Sequence, residues 1–295
     1  RTEILLRDGD PEAANALLAS RLRSDDPATR ADALWSYVIG LRTQGRLEAA
    51  LHAATELREV EAHTSSRVPS VFHAGAQAQV LFELGEHRRA AEIFDSIAAI
   101  EFVAGSPPRN ARHRAWMLTH AASAWAAAGD TARLAALADT IRSVGAQSAY
   151  ARDQRLHHYV RALLLRARGD HDGAIRELRL SLFSPASGYI RANLELGRSL
   201  LLAGRAEEAA REMETALRGP VGASGFYATH TELHELAALA WDRAGRPDRA
   251  GPHYRWVARV WSQGDPPFRR RAEAAAARLN EIEGPTLRAE RRLGP

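Results

Sequence analysis

The sequence has no cysteine, and this absence removes several kinds of chemistry at once. Without thiols the chain forms neither disulfides nor a thiolate nucleophile, and it holds no zinc through cysteine. It also has no lysine, so the nucleotide-binding P-loop, whose signature requires one, is excluded. No run of about 18 apolar residues is present, so the sequence predicts no membrane-spanning helix.

The charge balance is close to neutral. All 40 basic residues are arginine, against 36 aspartates and glutamates, which leaves a net charge of +4 over 295 residues. This small excess gives no case for nucleic-acid binding on a basic surface. Aromatic residues make up only 6% of the chain, while 45% is hydrophobic and much of that is alanine. The mixture favours closely packed helices, and the arginine-only usage indicates a GC-rich bacterial genome.

A short pattern centred on glycine recurs along the chain. A polar or small residue precedes six of the seven glycines, Leu84 precedes the other, and polar residues and then alanine follow most of them. The glycines are spaced by 36, 40, 44, 40, 35 and 41 residues, and they are Gly9, Gly45, Gly85, Gly129, Gly169, Gly204 and Gly245. Because the apolar residues on both sides have helical spacing, each copy predicts a hairpin of two antiparallel helices.

The residues around each glycine are those that a tight turn between helices requires. Glycine accepts the left-handed conformation that ends the first helix. Asp10, Asp130 and Asp170 then stand where a side chain caps the second helix. Pro11 and Pro247 occupy the first helical turn, where proline is tolerated.

The clearest copy covers residues 190–217. Its first helix carries large, small and large residues on one face, and its second helix carries alanine, a large residue and alanine. The residues are Leu196, Gly197, Leu200, Ala209, Met213 and Ala216. This pattern resembles the tetratricopeptide repeat (TPR). The resemblance implies an all-α fold, a right-handed superhelical solenoid of about seven antiparallel helix hairpins followed by a capping helix.

The repeat also suggests boundaries. We predict the array over residues 1–284, including a capping helix at about 266–283, and a polar tail at 285–295. The period of about 40 residues exceeds the 34 of the TPR family. Such stretched repeats look like those of large bacterial regulators, namely transcription activators and Ser/Thr kinases. Because only eight residues precede Gly9, the sequence also predicts a further segment upstream.

Catalytic signatures are missing. The sequence contains no G-x-S-x-G elbow and no set of kinase motifs. His230 and His234 are four residues apart, as in some metal sites, but Thr231 stands where the zinc-protease motif needs glutamate. We interpret His234 as packed between helices and His230 as lying at an exposed helix start. The chain is therefore not expected to be an enzyme or to hold a metal or cofactor.

In TPR proteins the first helix of each hairpin lines a concave groove, and the resemblance implies which residues would line it here. The partner-binding candidates are Trp35, Arg42, Phe72, Gln79, Phe82, Trp116, Tyr159, Arg166, Arg191, Arg198 and Glu235. We hypothesise that the groove holds an extended or helical peptide. Aromatic residues would take apolar side chains, and Arg166, Arg191 and Arg198 would bind a carboxylate. The alternatives are that several of the aromatic residues belong to the core and that the arginines form a solvated face.

The leading interpretation is a cytoplasmic protein-interaction scaffold that binds a protein or peptide partner. It would be the sensory part of a larger bacterial regulator with an effector domain upstream in the same polypeptide. A self-associating assembly scaffold, forming a homo-oligomer, is the first alternative. An enzyme with a groove site and a nucleic-acid-binding solenoid are further alternatives, with no motif or charge excess in their favour. No membrane partner is expected.

Overall fold

The computed structural model of the protein describes residues 2–62, 71–184, 190–219 and 228–292. These residues form α-helices and two short 3-10 turns, and they contain no β-strand. The α-helices are α1 (Thr2–Arg7), α2 (Pro11–Leu18), α3 (Pro27–Thr43), α4 (Leu47–Ala62), α5 (Val71–Glu83), α6 (His87–Ala98), α7 (Pro107–Ala127), α8 (Thr131–Ala146), α9 (Leu156–Ala167), α10 (His171–Ser181), α11 (Arg191–Leu202), α12 (Ala206–Ala216), α13 (His230–Arg243), α14 (Pro247–Val260) and α15 (Pro266–Arg292).

Consecutive helices pack against each other in pairs, and each pair packs on the next. The pairs run from α1 with α2 to α13 with α14, and α15 covers the last pair. The predicted fold class is thereby confirmed as an all-α, right-handed superhelical solenoid of antiparallel hairpins. None of the described helices combines the length and the apolar character that a membrane crossing requires.

Each hairpin closes through the same hydrogen-bonded turn. The seven glycines of the repeat all have positive φ, between 68° and 86°. At every turn the N–H of the residue after the glycine donates to the carbonyl of the residue four positions before that glycine, at 2.8–3.0 Å. This is the Schellman arrangement that satisfies the last carbonyls of a helix. Asp10, Asp130 and Asp170 each accept a hydrogen bond from the N–H three residues later, so the predicted caps are confirmed.

Close approach between helices depends on glycines inside them. A Cβ on Gly145 in α8 would lie 2.6 Å from the backbone oxygen of Asp153. A Cβ on Gly197 in α11 would lie 2.8 Å from Cε of Met213, which is the free end of a flexible side chain.

Gly145→Ala is therefore expected to lower the free energy of unfolding by about 1–3 kcal/mol, because backbone cannot move aside. Gly197→Ala should cost less than about 1 kcal/mol, since Met213 can rotate and alanine favours the helix. Urea denaturation of both variants measures the difference. Equal decreases in the free energy of unfolding would show that the backbone at Asp153 moves aside as easily as the Met213 side chain.

The solenoid closes on itself, because its last elements contact its second hairpin. The carbonyl of Thr43 at the end of α3 accepts two hydrogen bonds from residues about two hundred positions later. The Thr231 hydroxyl donates to it at 2.9 Å, and the Trp261 indole N–H donates to it at 3.1 Å. Trp261 is completely buried by this contact.

The turn before α15 continues the closure. The Asp265 N–H donates to the Gly45 carbonyl at 2.9 Å, and the Asp265 carboxylate accepts from the Glu48 N–H at 3.0 Å. A Cβ on Gly45 would lie 2.5 Å from the Phe268 ring, so glycine here serves both the turn and the contact. We call this closure the seam and define it by Thr43, Gly45, Glu48, Thr231, Trp261 and Asp265.

Closure turns the concave side of the superhelix into an interior. Every residue from 115 to 125 in α7 is buried, and so is every residue from 38 to 43 in α3. These are first helices of their hairpins, and a helix buried on all sides is enclosed by other elements. The faces that would line an open groove therefore meet one another at the centre.

The last helix runs to Arg292, which is beyond the end near residue 283 that the sequence indicated. The side chains from residue 285 onward lie outside the described part of the chain. The division into a repeat array over 1–284 and a polar tail remains a prediction.

Candidate functional site at the centre of the superhelix

A cavity of about 290 Å³ lies where the first helices converge. Five hairpins and the last helix contribute to its wall, because the seam brings distant hairpins together. The lining residues are Arg42, Leu47, Phe82, Glu83, His87, Ala127, Arg191, Arg198, Thr229, Glu232, Phe268 and Arg271.

One side of the cavity is a two-pronged ion pair between α3 and α5. The Arg42 guanidinium donates through Nε to Glu83 Oε2 at 2.8 Å and through Nη2 to Oε1. Gln79 Nε2 donates to the same Glu83 Oε1 at 2.9 Å. Arg42 is only 2% exposed, so the ion pair with Glu83, and not hydration, balances its charge. Arg42 and Gln79 therefore form part of the frame of the cavity.

The opposite side carries Arg191 and Glu232. Arg191 is 2% exposed, and its guanidinium lies 4.9 Å from the centre of the Phe82 ring. Burial raises the pKa of the Glu232 carboxyl, but Arg191 and the Thr229 N–H outweigh it, so the net pKa is lowered. The carboxylate accepts that Thr229 N–H at 2.8 Å in a capping box at the start of α13. Glu232 therefore remains ionised inside the protein.

His120 of α7 lies close to the same charges. Burial, and then Arg191 and Arg42, lower its pKa well below the ordinary value of 6.5. The imidazole stacks on Phe94 with ring centres 5.0 Å apart. A neutral histidine beside two arginines avoids adding a third positive charge to the centre.

The two remaining candidate arginines share one carboxylate. Arg166 and Arg198 both pair with Glu195, the latter through Nη1 at 2.7 Å. Burial raises the pKa of Glu195, but Arg198 and Arg166 outweigh it and hold the pKa at about 2. Arg271 of α15 pairs with Glu235 in the same way, through Nε at 2.7 Å.

Several of the predicted aromatic anchors lie elsewhere. Trp116 is buried and donates its indole N–H to Asp153 at 2.6 Å. Tyr159 is fully buried, with its hydroxyl 2.8 Å from Ser123 Oγ. Trp35 is half-buried, 5.6 Å from the His73 ring. The side chain of Phe72 lies outside the described residues. Of the aromatic candidates whose side chains the structure describes, Phe82 is the one that lines the central cavity.

The structure thus joins Arg42, Phe82, Arg191 and Arg198 at one cavity, with Gln79 behind Arg42. The sequence reasoning missed Glu83, Thr229, Phe268 and Arg271. The pair Thr229 and Glu232 carried a readable signal, since threonine three residues before glutamate is a capping box. Phe268 and Arg271 carried none, because they reach the cavity only through the seam.

Of the histidine pair four residues apart, His234 makes its contacts with aromatic rings of the neighbouring helix. His234 Nδ1 lies 2.8 Å from Nδ1 of His253, and the His234 ring stacks on Trp256. No group of three potential metal ligands occurs among the described residues. His234 packs between helices as predicted. The exposed position predicted for His230 is wrong, because the start of α13 packs against the seam and buries it to 2% exposure.

Buried neutral histidines make folding sensitive to acid. Burial, and then His253, lower the pKa of His234 to about 2, and His120 is lowered as well. In the unfolded chain each takes up a proton as the pH falls through about 6.5, whereas the folded form stays neutral. The stability they support is therefore complete above pH 6.5 and is lost progressively below it.

Between pH 7.5 and 5.0 the free energy of unfolding should fall by about 2 kcal/mol for each of these two histidines. Urea denaturation across this range measures the slope. His120→Gln should reduce the slope, while His52→Gln, on the exposed face of α4, should leave it unchanged. Identical slopes in both variants would contradict the assignment to His120.

No protein-family model and no curated protein matches the chain. Among solved structures, it is similar to a tetratricopeptide repeat protein from Parabacteroides merdae, with 18% identity, 95% of each chain covered and a TM-score of 0.46. It is also similar to the structure of Naa15/Naa10 bound to HypK-THB, with 14% identity, 96% of this chain and 39% of that chain covered, and a TM-score of 0.37. The chain is also similar to the APC/C hetero-tetramer Cut9-Hcn1, with 13% identity, 93% of this chain and 62% of that chain covered, and a TM-score of 0.39. The hairpin geometry described above establishes the TPR-like fold independently of these likenesses.

Proposed function

We propose that this chain is a non-catalytic protein-binding scaffold whose partner presents one carboxylate to the central cavity. The observation that carries the proposal is the charge at the centre. Four arginines and two glutamates line the cavity, and two further glutamates pair with the arginines at its mouth. The lining groups are Arg42, Arg191, Arg198, Arg271, Glu83 and Glu232, and the further glutamates are Glu195 and Glu235.

The mouth of the cavity is where a partner can reach this charge. The side chains of Arg198 and Arg271 are 43% and 40% exposed, whereas Arg42 and Arg191 are enclosed. Arg198 is the second arginine on Glu195, so it can turn to an incoming carboxylate while Arg166 keeps Glu195 paired. Phe268 lies beside Arg271 and offers an apolar surface next to the charge.

The enclosed centre favours the end of a chain over a continuous peptide. An extended segment running along the whole concave side would have to displace helices that already contact one another across the seam. A chain terminus needs only the mouth of the cavity. We therefore propose that the partner inserts a C-terminal carboxylate, or a single acidic side chain, between Arg198 and Arg271.

The test begins with partners captured from a bacterial host lysate and identified by mass spectrometry. Peptides from their acidic ends are then measured by fluorescence polarisation. The double variant Arg198→Gln and Arg271→Gln should weaken binding by roughly 10- to 100-fold, the value of a charged hydrogen bond. The control Arg211→Gln, on an exposed arginine of α12, should bind normally. Amidating the peptide carboxylate should reproduce the loss, and unchanged affinity in the double variant would end the proposal.

We also propose that the chain serves a larger bacterial regulator and transmits partner binding to an effector domain. Sedimentation of the purified chain discriminates this from the self-associating scaffold. A monomer at all concentrations fits the regulator, whereas a dimer that forms with rising concentration favours self-association.

A further inference from the structure

A second cavity of about 280 Å³ lies away from the centre, at the start of α7. Its wall combines cations with flat rings. The lining residues are Val103, Arg109, Arg112, His113, Trp116, Met117 and Tyr150. None of them lines the central cavity, so the two sites are distinct.

Among the described residues, the two arginines that line the pocket have no carboxylate partner, because neither the Arg109 nor the Arg112 guanidinium forms an ion pair or a hydrogen bond. By contrast, Arg42, Arg198 and Arg271, which line the central cavity, each pair with a glutamate. Arg152, beside this pocket, reaches the buried carboxylate of Asp153 only at 3.8 Å.

The two carboxylates closest in sequence to the pocket already have partners. Asp153 is fully buried and accepts from the Trp116 indole at 2.6 Å and from Ser148 Oγ at 2.6 Å. Glu101 accepts from Asn110 Nδ2 at 3.2 Å. The pocket wall itself is lined by two arginines and, among the described residues, by no carboxylate, so it carries an excess of positive charge that favours an anionic ligand.

Flat rings complete the wall. The Arg112 guanidinium lies 4.0 Å from the centre of the Tyr150 ring and 5.3 Å from that of Trp116. Tyr150 is 42% exposed, which is unusual for so large an apolar surface in this protein. A planar guanidinium layered on aromatic rings presents a stacking surface to a further planar group.

His113 contributes its ring to the wall of the pocket. The ring stands edge-on to Phe102 at 5.5 Å. Burial, and then Arg112, lower the pKa of His113, which agrees with a positive local potential.

From this arrangement we infer that the pocket is a binding site for a small aromatic acid. The acid group would lie between Arg109 and Arg112, and the ring would stack on Tyr150. The cavity is just below the range of about 300–1,000 Å³ that holds drug-sized ligands, so it accommodates one ring with its acid. This site does not depend on the central cavity or on its partner.

Four fluorinated probes separate charge from shape in ¹⁹F NMR titrations of the full chain. They are 4-fluorobenzoate, its neutral amide 4-fluorobenzamide, the cation 4-fluorobenzylamine and the non-planar trans-4-fluorocyclohexanecarboxylate. We expect 4-fluorobenzoate to bind with a Kd on the order of 1 mM, as suits a ligand of so few atoms. The other three should bind at least roughly tenfold more weakly, because each lacks either the charge or the ring.

The double variant Arg109→Gln and Arg112→Gln should lose at least roughly tenfold in affinity for 4-fluorobenzoate. Arg114→Gln is the matched control, since Arg114 is exposed on the same helix and does not line the pocket. Circular dichroism checks that all variants keep their helices. Tyr150→Leu should also weaken binding, because it keeps apolar volume and removes the ring.

Two results would overturn the inference. One is equal binding of the acid and the amide; the other is unchanged affinity in the double variant. An aromatic acid also occurs at the end of a protein whose last residue is phenylalanine. N-acetylphenylalanine and a hexapeptide ending in phenylalanine distinguish these sources, since tighter binding of the hexapeptide identifies a protein end and equal binding a free acid.

Discussion

Replacing Arg191 with methionine is expected to lower the free energy of unfolding by about 3–5 kcal/mol. Arg191 is enclosed at the centre of the superhelix, where its charge is the main support of the ionised Glu232. Methionine keeps most of the volume against Phe82 and removes the charge. Stability is lost because the buried Glu232 carboxylate would keep less positive charge near it. This electrostatic penalty exceeds the small change in packing against Phe82.

Urea denaturation at pH 7 measures this loss, with Arg211→Met on the exposed face of α12 as the matched control. The control should change stability by less than about 0.5 kcal/mol. Adding Glu232→Gln to Arg191→Met should recover part of the stability, because the second change removes the uncompensated charge. A loss below about 1 kcal/mol, or a double variant worse than the sum of its parts, would show that Arg191 does not stabilise Glu232.

The acid dependence of the same variant has a definite sign. In the native protein the lowered pKa of Glu232 contributes stability above its unfolded value near 4.5, and this contribution is lost as the pH falls further. Without Arg191 the pKa of Glu232 should rise. The deficit of Arg191→Met is therefore expected to shrink as the pH is lowered from 7 to 4.

The local structure followed from the sequence because its causes are local. A glycine that must adopt positive φ, and an aspartate that caps the next helix, act within a few residues. In the structure, Gly45 and Gly204 have positive φ and Asp170 caps the following helix, as their neighbours in the sequence indicate. The alternation of large and small residues around Gly197 likewise predicted which faces of two helices meet.

The site could be predicted only in part, because it depends on which hairpins meet. The register of the first helices predicted Arg42, Phe82 and Arg191 on the concave side, and all three line the central cavity. It did not indicate that the seam would enclose this side, because the contact of Thr43 with Trp261 joins residues 218 positions apart. The burial of Trp116 could not be predicted either. Its indole N–H bonds to Asp153 in the segment between α8 and α9, and no pattern in the sequence specifies the path of that segment.

Trp261→Ala is the second change with a large expected effect, and it tests the closure itself. Trp261 is fully buried, donates to the Thr43 carbonyl, lies under the Arg271 guanidinium at 4.2 Å and meets the Phe268 ring edge-on at 5.1 Å. Truncating a buried tryptophan costs about 3–5 kcal/mol. Because this one lies at the seam, the loss should fall on the contact between the two ends of the solenoid and open it.

Trp125→Ala is the matched control, since Trp125 is equally buried in α7 but contacts its neighbouring hairpins and not the seam. Both variants should lose comparable stability in urea. Only Trp261→Ala should also increase the radius of gyration in small-angle X-ray scattering without denaturant. If that variant fails to fold, Asp265→Ala is the milder test, because it removes only the acceptor of the Glu48 N–H, worth about 1 kcal/mol.

The seam also affects how strongly a partner binds to the central cavity. Phe268 and Arg271 reach the central cavity because the seam holds α15 against the second hairpin. A protein that spends part of its time open binds more weakly in proportion to the closed fraction, even with every contact residue intact. Asp265→Ala should therefore weaken binding of the acidic partner peptide, although Asp265 lies outside the cavity. Unchanged affinity together with faster amide exchange at Glu48 would mean that the partner binds the open and closed forms equally well.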